Sequence, residues 1–434
     1  MELLHFVSIT GILVLLILAC TWNFPLFFFG LHIFSRSILD SIPYVTYSDI
    51  YAGFSVMQIY SIFVVAYLSM YLFFHRDTQV RSIPAAIPVL LVILSFMVSG
   101  IISNDWRPIL ENTTKWIYMI LLAGFVFHIL KTNTLDSLIR VLWLSLLPAV
   151  FIQFMAIITN DYVITSAGHI GYFGGYQHQN MISYYLLGFT SCSLYLAVQS
   201  DKLFYRLFFM LSTGYGIFAV YACGYRTTLI ALMIFLIITY LYSIKRLDLS
   251  KKLLAISFMP LVMIVGIYFA GGEIFHRLSD IWVFLQAPMD HIDFSGNASM
   301  TSLFSGRIYI INVLMHAYLS SPFESLWAGM GLDSARQIIG TYPHNEFLAA
   351  LVESGILGLS AFSLFVVTYL WTVNSGDFVA SVKESVIAGT GTGLLIMTLA
   401  TMPFRDMRAM ILFGVFLGIA HFSIYMRRQK PHET

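Results

Sequence analysis

Charged side chains are scarce in this sequence. Asp, Glu, Lys and Arg make up 10% of the 434 residues, against 59% apolar. A soluble domain carries roughly a quarter charged residues, so no soluble fold of this length hides so much apolar surface. Lipid must solvate most of the chain, which predicts a polytopic integral membrane protein. Basic tracts are also missing and the net charge is +1, which excludes bulk attraction to nucleic acid. Cysteine is rare: Cys20, Cys192 and Cys223 lie in or beside apolar runs without CxxC spacing. They read as packing residues, not as disulfides or metal ligands. There is no Walker loop, DxD or HExxH motif and no Cys/His cluster with zinc spacing, so the sequence calls for no metal or cofactor. The first apolar run lacks a basic flank and a small-residue cleavage site, and is expected as a retained span.

What is present is length and apolarity in series. Runs able to cross about 30 Å of hydrocarbon occur near 3–21, 54–74, 84–103, 117–131, 141–158, 181–198, 207–223, 227–244, 253–270, 346–371, 386–402 and 409–426. They predict an all-α fold of about twelve transmembrane helices in one membrane domain, because lipid tolerates only closed backbone hydrogen bonding. The stretch 24–40, with Arg36, is either a thirteenth span or an interfacial segment.

One set of alternating loops, with the C-terminal tail, holds fourteen of the 23 basic residues, seven Arg and seven Lys. That side is expected to be cytoplasmic. The other side holds the remaining nine, of which eight are Arg: Arg36, Arg107, Arg226, Arg277, Arg307, Arg336, Arg405 and Arg408, besides Lys115. A planar two-pronged guanidinium suits phosphate or pyrophosphate.

Two loops on that outer side are long. The first, 159–180, contains Tyr172, Tyr176, His178 and Asn180 among glycines, a composition that suits sugar rings or a headgroup-level anchor. The second, 271–345, is too long for a plain connection. It predicts an amphipathic helix near 305–320 with Ile308, Ile311, Leu314 and Met315 on one face, then a break at Pro322 and a tight turn at Gly329-Met330-Gly331. Pro403 to Arg408 reads as a short exposed loop held by Asp406. Arg226 lies between two apolar runs, where charge marks function.

The second loop ends at Tyr342-Pro343-His344-Asn345-Glu346, where an apolar helix is expected to start. Helix starts favour anions, and an imidazole titrating near 6.5 suits proton transfer near neutrality. Glu353, two turns on, needs a cationic partner or a proton at that depth.

His344-Asn345, then nine residues to Gly355 and two more to Gly358, resembles the His-Asn signature of the O-antigen ligase and polymerase superfamily. Arg226, Ser305-Gly306-Arg307 and Gly329-Met330-Gly331 are laid out similarly. The resemblance implies an enzyme at the periplasmic face of a bacterial inner membrane, with a cytoplasmic C-terminus. It implies transfer of a glycan from undecaprenyl diphosphate, with inversion and without metal or nucleotide. His344, Arg307 and Arg226 would act in catalysis. Asn345, Glu346, Tyr342, His178, Asn180, Arg405 and Arg408 are the candidate substrate-binding residues. The partners implied are an undecaprenyl-diphosphate-linked oligosaccharide, an acceptor glycan or lipid A-core, and a chain-length regulator. A pI near 7.8 favours repeat-unit polymerisation over ligation onto a phosphate-rich lipid acceptor. A transporter of lipid-linked sugars would call for broken or charged spans near the midplane, and none is evident.

Overall fold

The computed structural model describes residues 24–51, 54–75, 83–164, 170–244, 307–375, 378–379 and 381–429. The spans expected at 3–21 and 253–270, and the loop residues 271–306, lie outside these. The described chain is all-α. In order it forms α1 (Pro25–Leu39), a β-hairpin of β1 (Asp49–Tyr51) and β2 (Phe54–Ser55), α2 (Val56–Phe74), α3 (Ala86–Ser103), α4 (Arg107–Thr132) and α5 (Leu135–Ile158). A second small hairpin, β3 (Val163–Ile164) and β4 (Ile170–Gly171), precedes α6 (Gln179–Gln199), α7 (Leu203–Ala222) and α8 (Arg226–Ile244). After the gap come α9 (Arg307–Leu319), α10 (Phe323–Ala328), α11 (Ser334–Ile339), α12 (Glu346–Asn374), α13 (Val382–Ile396) and α14 (Met407–Gln429).

Among the described residues, nine helices are long and apolar enough to cross a membrane: α2 to α8, α12 and α14. The stretch 24–40 forms the shorter apolar helix α1, packed against α5 with Ser145 donating to the Gly30 carbonyl at 2.9 Å. The run expected at 386–402 is not one continuous helix. It stops at Ile396, passes through a 3₁₀ turn at Met397–Leu399, and re-enters a second at Pro403–Arg405. Pro403 has no N–H to continue a helix.

α14 is the axis of the bundle. Every residue from Arg408 to His421 is buried, as expected of a helix apolar on all sides. In lipid, close helix approach depends on small residues. A Cβ on Gly414 or Gly418 would stand 2.7 Å from the Met119 carbonyl oxygen or 2.5 Å from that of Ala123, so these two glycines let α14 lie against α4. Gly389 and Gly393 do the same between α13 and α8, against the Phe235 and Ala231 carbonyls.

The amphipathic helix predicted near 305–320 is α9, in a different register. Its buried stripe is Ile310, Leu314 and Tyr318, while Ile311 is exposed. The stripe packs on Ala335, Leu348 and Val352, so α11 and the start of α12 decide which face turns inward. The 159–180 loop is also less open than its composition suggests. Phe173 and Tyr176 are buried, and the Tyr176 hydroxyl donates to the Ser37 carbonyl at 2.7 Å.

Candidate active site

His344 occupies the last residue but one before α12, with φ of +52°. Few residues other than glycine adopt this left-handed backbone, and such strain is concentrated at functional sites. The two residues after it hold it there. Asn345 caps α12: its Oδ1 accepts from the Leu348 N–H at 3.0 Å, and its Nδ2 donates to the Leu399 carbonyl at 3.2 Å. Glu346 is buried, and its carboxylate accepts the Phe404 N–H at 2.8 Å. Both are candidate substrate-binding residues; each is also tied to the 397–405 segment, which holds the chain directly after the turn at His344.

The imidazole is partly buried, and burial lowers its pKa below the ordinary 6.5. The charge of Arg307 and then His178 push the same way. Arg307, the first residue of α9, also acts on Tyr225, whose phenol burial pushes above its ordinary value and Arg307 pulls back. The Tyr225 ring meets His178 edge-on, with centroids 6.1 Å apart and planes at 86°. His178 is the N-cap of α6, its Nδ1 accepting from the Asn180 N–H at 3.2 Å. His178, Tyr225, Arg307 and His344 thus converge from four separate places in the chain. Arg226 follows Tyr225 directly and opens α8. Tyr342 is exposed beneath Arg336, whose guanidinium stands 5.0 Å from the ring centroid.

The segment 403–408 is the main correction to the sequence reading. It is not an exposed loop: Pro403, Phe404 and Arg408 are buried. Arg405 pairs with Glu353, which is fully buried, and lies 3.9 Å from Asp333. This supplies the cation that Glu353 requires. Arg408 binds Asp406 at 3.0 Å, the Tyr47 hydroxyl at 2.9 Å, and both oxygens of Asp40 at 2.8 and 3.0 Å. All its nitrogens are engaged inside the protein, so it acts here as a structural fork.

Asp40 was not singled out by sequence. It takes five donors: Arg36 Nε at 3.1 Å, two nitrogens of Arg408, and the hydroxyls of Tyr47 at 2.8 Å and Tyr185 at 2.6 Å. Burial acts to raise its carboxyl, but Arg36, Arg408 and Tyr185 together hold it at about 2. Five converging donors keep a buried carboxylate ionised. Arg36, a charge within an apolar run and one of the eight outer arginines, is the sequence signal nearest to it.

The glycines of the signature have a specific geometry. α12 breaks at Gly355, where φ is +67° and ψ −164°. Into the break docks the Gly329-Met330-Gly331 turn. The Met330 N–H donates to the Val352 carbonyl at 2.9 Å and the Gly331 N–H to that of Glu353 at 3.3 Å. A Cβ on Gly355 would stand 2.2 Å from the Trp327 oxygen, and one on Gly329 would stand 2.2 Å from the Glu353 carbonyl. No larger residue fits either place.

Residues 208–363 match a family described as O-antigen ligase. This stretch is therefore similar to the O-antigen ligase family, which supports the resemblance to the ligase and polymerase superfamily. No curated protein matches the chain significantly. The O-antigen ligase match includes Arg226, Arg307, His344 and both signature glycines, while His178, Arg405, Arg408 and Asp40 lie outside it. The match supports an O-antigen ligase or polymerase type of activity.

Proposed function

We propose that this protein is an inverting glycosyltransferase that joins glycan repeat units carried on undecaprenyl diphosphate, working without metal at the periplasmic face of a bacterial inner membrane. The observation that carries this is His344 within reach of the charges of Arg307 and His178, with His178 against Tyr225 and Arg226 next along the chain at the start of α8. The acceptor hydroxyl attacks the anomeric carbon and passes its proton to His344. The bond from that carbon to the diphosphate oxygen breaks, and its electron pair leaves with the carrier. Arg307 and Arg226 neutralise the charge that grows on the diphosphate, where fixed donors in a partly dehydrated site contribute several kcal/mol. A positioned base adds about 10²–10⁴-fold. His178 and Tyr225 border the space for sugar, and Arg405 and Arg408 hold the 397–408 segment beneath it. The fourteen basic residues of the opposite loops support a cytoplasmic side there, with the C-terminus on it.

The matched family's description favours a second reading, transfer of the finished glycan to lipid A-core. Purified protein given lipid-linked repeat units alone separates the two. A ladder of polymer supports polymerisation. No ladder until lipid A-core is added supports ligation. No transfer under either condition, with lipid movement across vesicles instead, removes the transferase reading.

A further inference from the structure

The break in α12 has a position that can be computed. Of its 29 residues, those after Gly355 number nineteen, or about 28 Å at a rise of 1.5 Å each. That matches a hydrocarbon core of about 30 Å. The nine residues before Gly355 then project beyond the core, among headgroups and water. Two neighbours meet α12 at this level. Ser99, in the last turns of α3, donates to the Glu353 carbonyl at 2.6 Å, and Gly331 abuts Ser103 at the end of α3. The kink therefore marks the membrane boundary on the His344 side.

α10 packs against both α12 and α3 at that boundary. Its outer face carries Phe323 and Trp327, one turn apart, 69% and 47% exposed, with rings 6.4 Å apart in an edge arrangement. The Trp327 backbone touches Gly355 itself. The residues flanking this contact are exposed and apolar too: Ile101 and Ile102 on α3, and Ile356 and Leu357 on α12. Water would make this patch costly. Its continuity with the lipid-facing sides of α3 and α12 gives it a natural occupant, since tryptophan concentrates where headgroups meet acyl chains.

We propose that α10 is an interfacial anchor whose Phe323 and Trp327 insert into the phospholipid headgroup layer on the His344 side. The glycine turn that follows α10 is locked into the α12 break, so the anchor joins the bilayer surface to the helix that begins at His344.

The test uses the full-length protein in nanodiscs, comparing its tryptophan fluorescence with that of Trp327→Phe. The discs contain phosphatidylcholine brominated either high on the acyl chain or near its end. The difference signal, which isolates Trp327, is expected to be quenched at least twice as strongly by the high bromine as by the deep one. Aqueous iodide should quench it little. Strong iodide quenching with no bromine effect places Trp327 in water and overturns the proposal. Protection from both quenchers means that another part of the protein covers the patch, and overturns it equally. Activity need not be known for this measurement, so its failure is separate from failure of the transferase reading.

Discussion

The Arg405–Glu353 pair offers the most direct physical test. Glu353 is fully buried in α12, and its cation comes from the 403–405 turn, fifty-two residues on. Replacing Arg405 by Met keeps the aliphatic stem and removes the charge. A carboxylate is then left in a buried site, and breaking one partner of a buried pair costs about 3–5 kcal/mol. Glu353→Leu alone leaves the guanidinium only the looser contact with Asp333 at 3.9 Å, at a smaller cost. The double variant, Arg405→Met with Glu353→Leu, strands neither, and a buried pair replaced by apolar groups of similar size is about neutral. The single variants should therefore not add: a coupling of about 2 kcal/mol or more is expected, where independent sites agree within about 0.5. Equilibrium unfolding in mixed micelles titrated with SDS, followed by near-UV circular dichroism, reads all four proteins. Additive effects of the two single changes would refute the pairing and, with it, the buried placement of the 403–408 segment.

Other outcomes follow from the same geometry. Because burial and Arg307 lower the His344 pKa below 6.5, its neutral form prevails at pH 7. Acidification should charge it and remove the base, so the acid limb of kcat/KM lies below pH 6.5 and disappears in His344→Gln; a rate that rises on acidification means that the imidazole acts as a cation. Gly355→Ala places a Cβ 2.2 Å from the Trp327 oxygen at a positive φ, and should lower the thermal midpoint markedly, whereas Gly214→Ala, inside α7 with open space around its Cβ, should leave it unchanged or raise it slightly. Asn345→Asp keeps the cap on Leu348 but loses the donor to Leu399. It should retain helix stability within about 1 kcal/mol and lower kcat more than it raises KM, as a displaced His344 requires; an unchanged kcat removes the positioning role.

Much of this architecture was readable in advance because lipid imposes one rule. Helices such as α3 and α8 must satisfy their own backbones, so apolar length alone locates them within a few residues. His344 and the Gly355 spacing were equally legible, since the signature is contiguous. The α9 register failed for a different reason. Its pattern allows two neighbouring stripes, and only the docking of Leu348 and Val352 selects Ile310 over Ile311. The segment around Pro403 was misread because short charged stretches between apolar runs look like surface loops. Nothing near Arg408 in sequence announces Asp40, which lies 368 residues away. Long-range ion pairing inside a membrane protein leaves no local pattern.

The reach of Asp40 bears on any attempt to transplant this chemistry. Residues 208–363 carry the family match, yet Glu346, two residues past His344, is held by Phe404 from beyond its end, and Arg408 ties that segment to a carboxylate near the start of the described chain. A chimera that exchanges only the matched stretch would inherit an imidazole without its foundation. Swaps meant to alter sugar preference should carry the first and last helices along, or leave all three regions in place and exchange only the surface around His178.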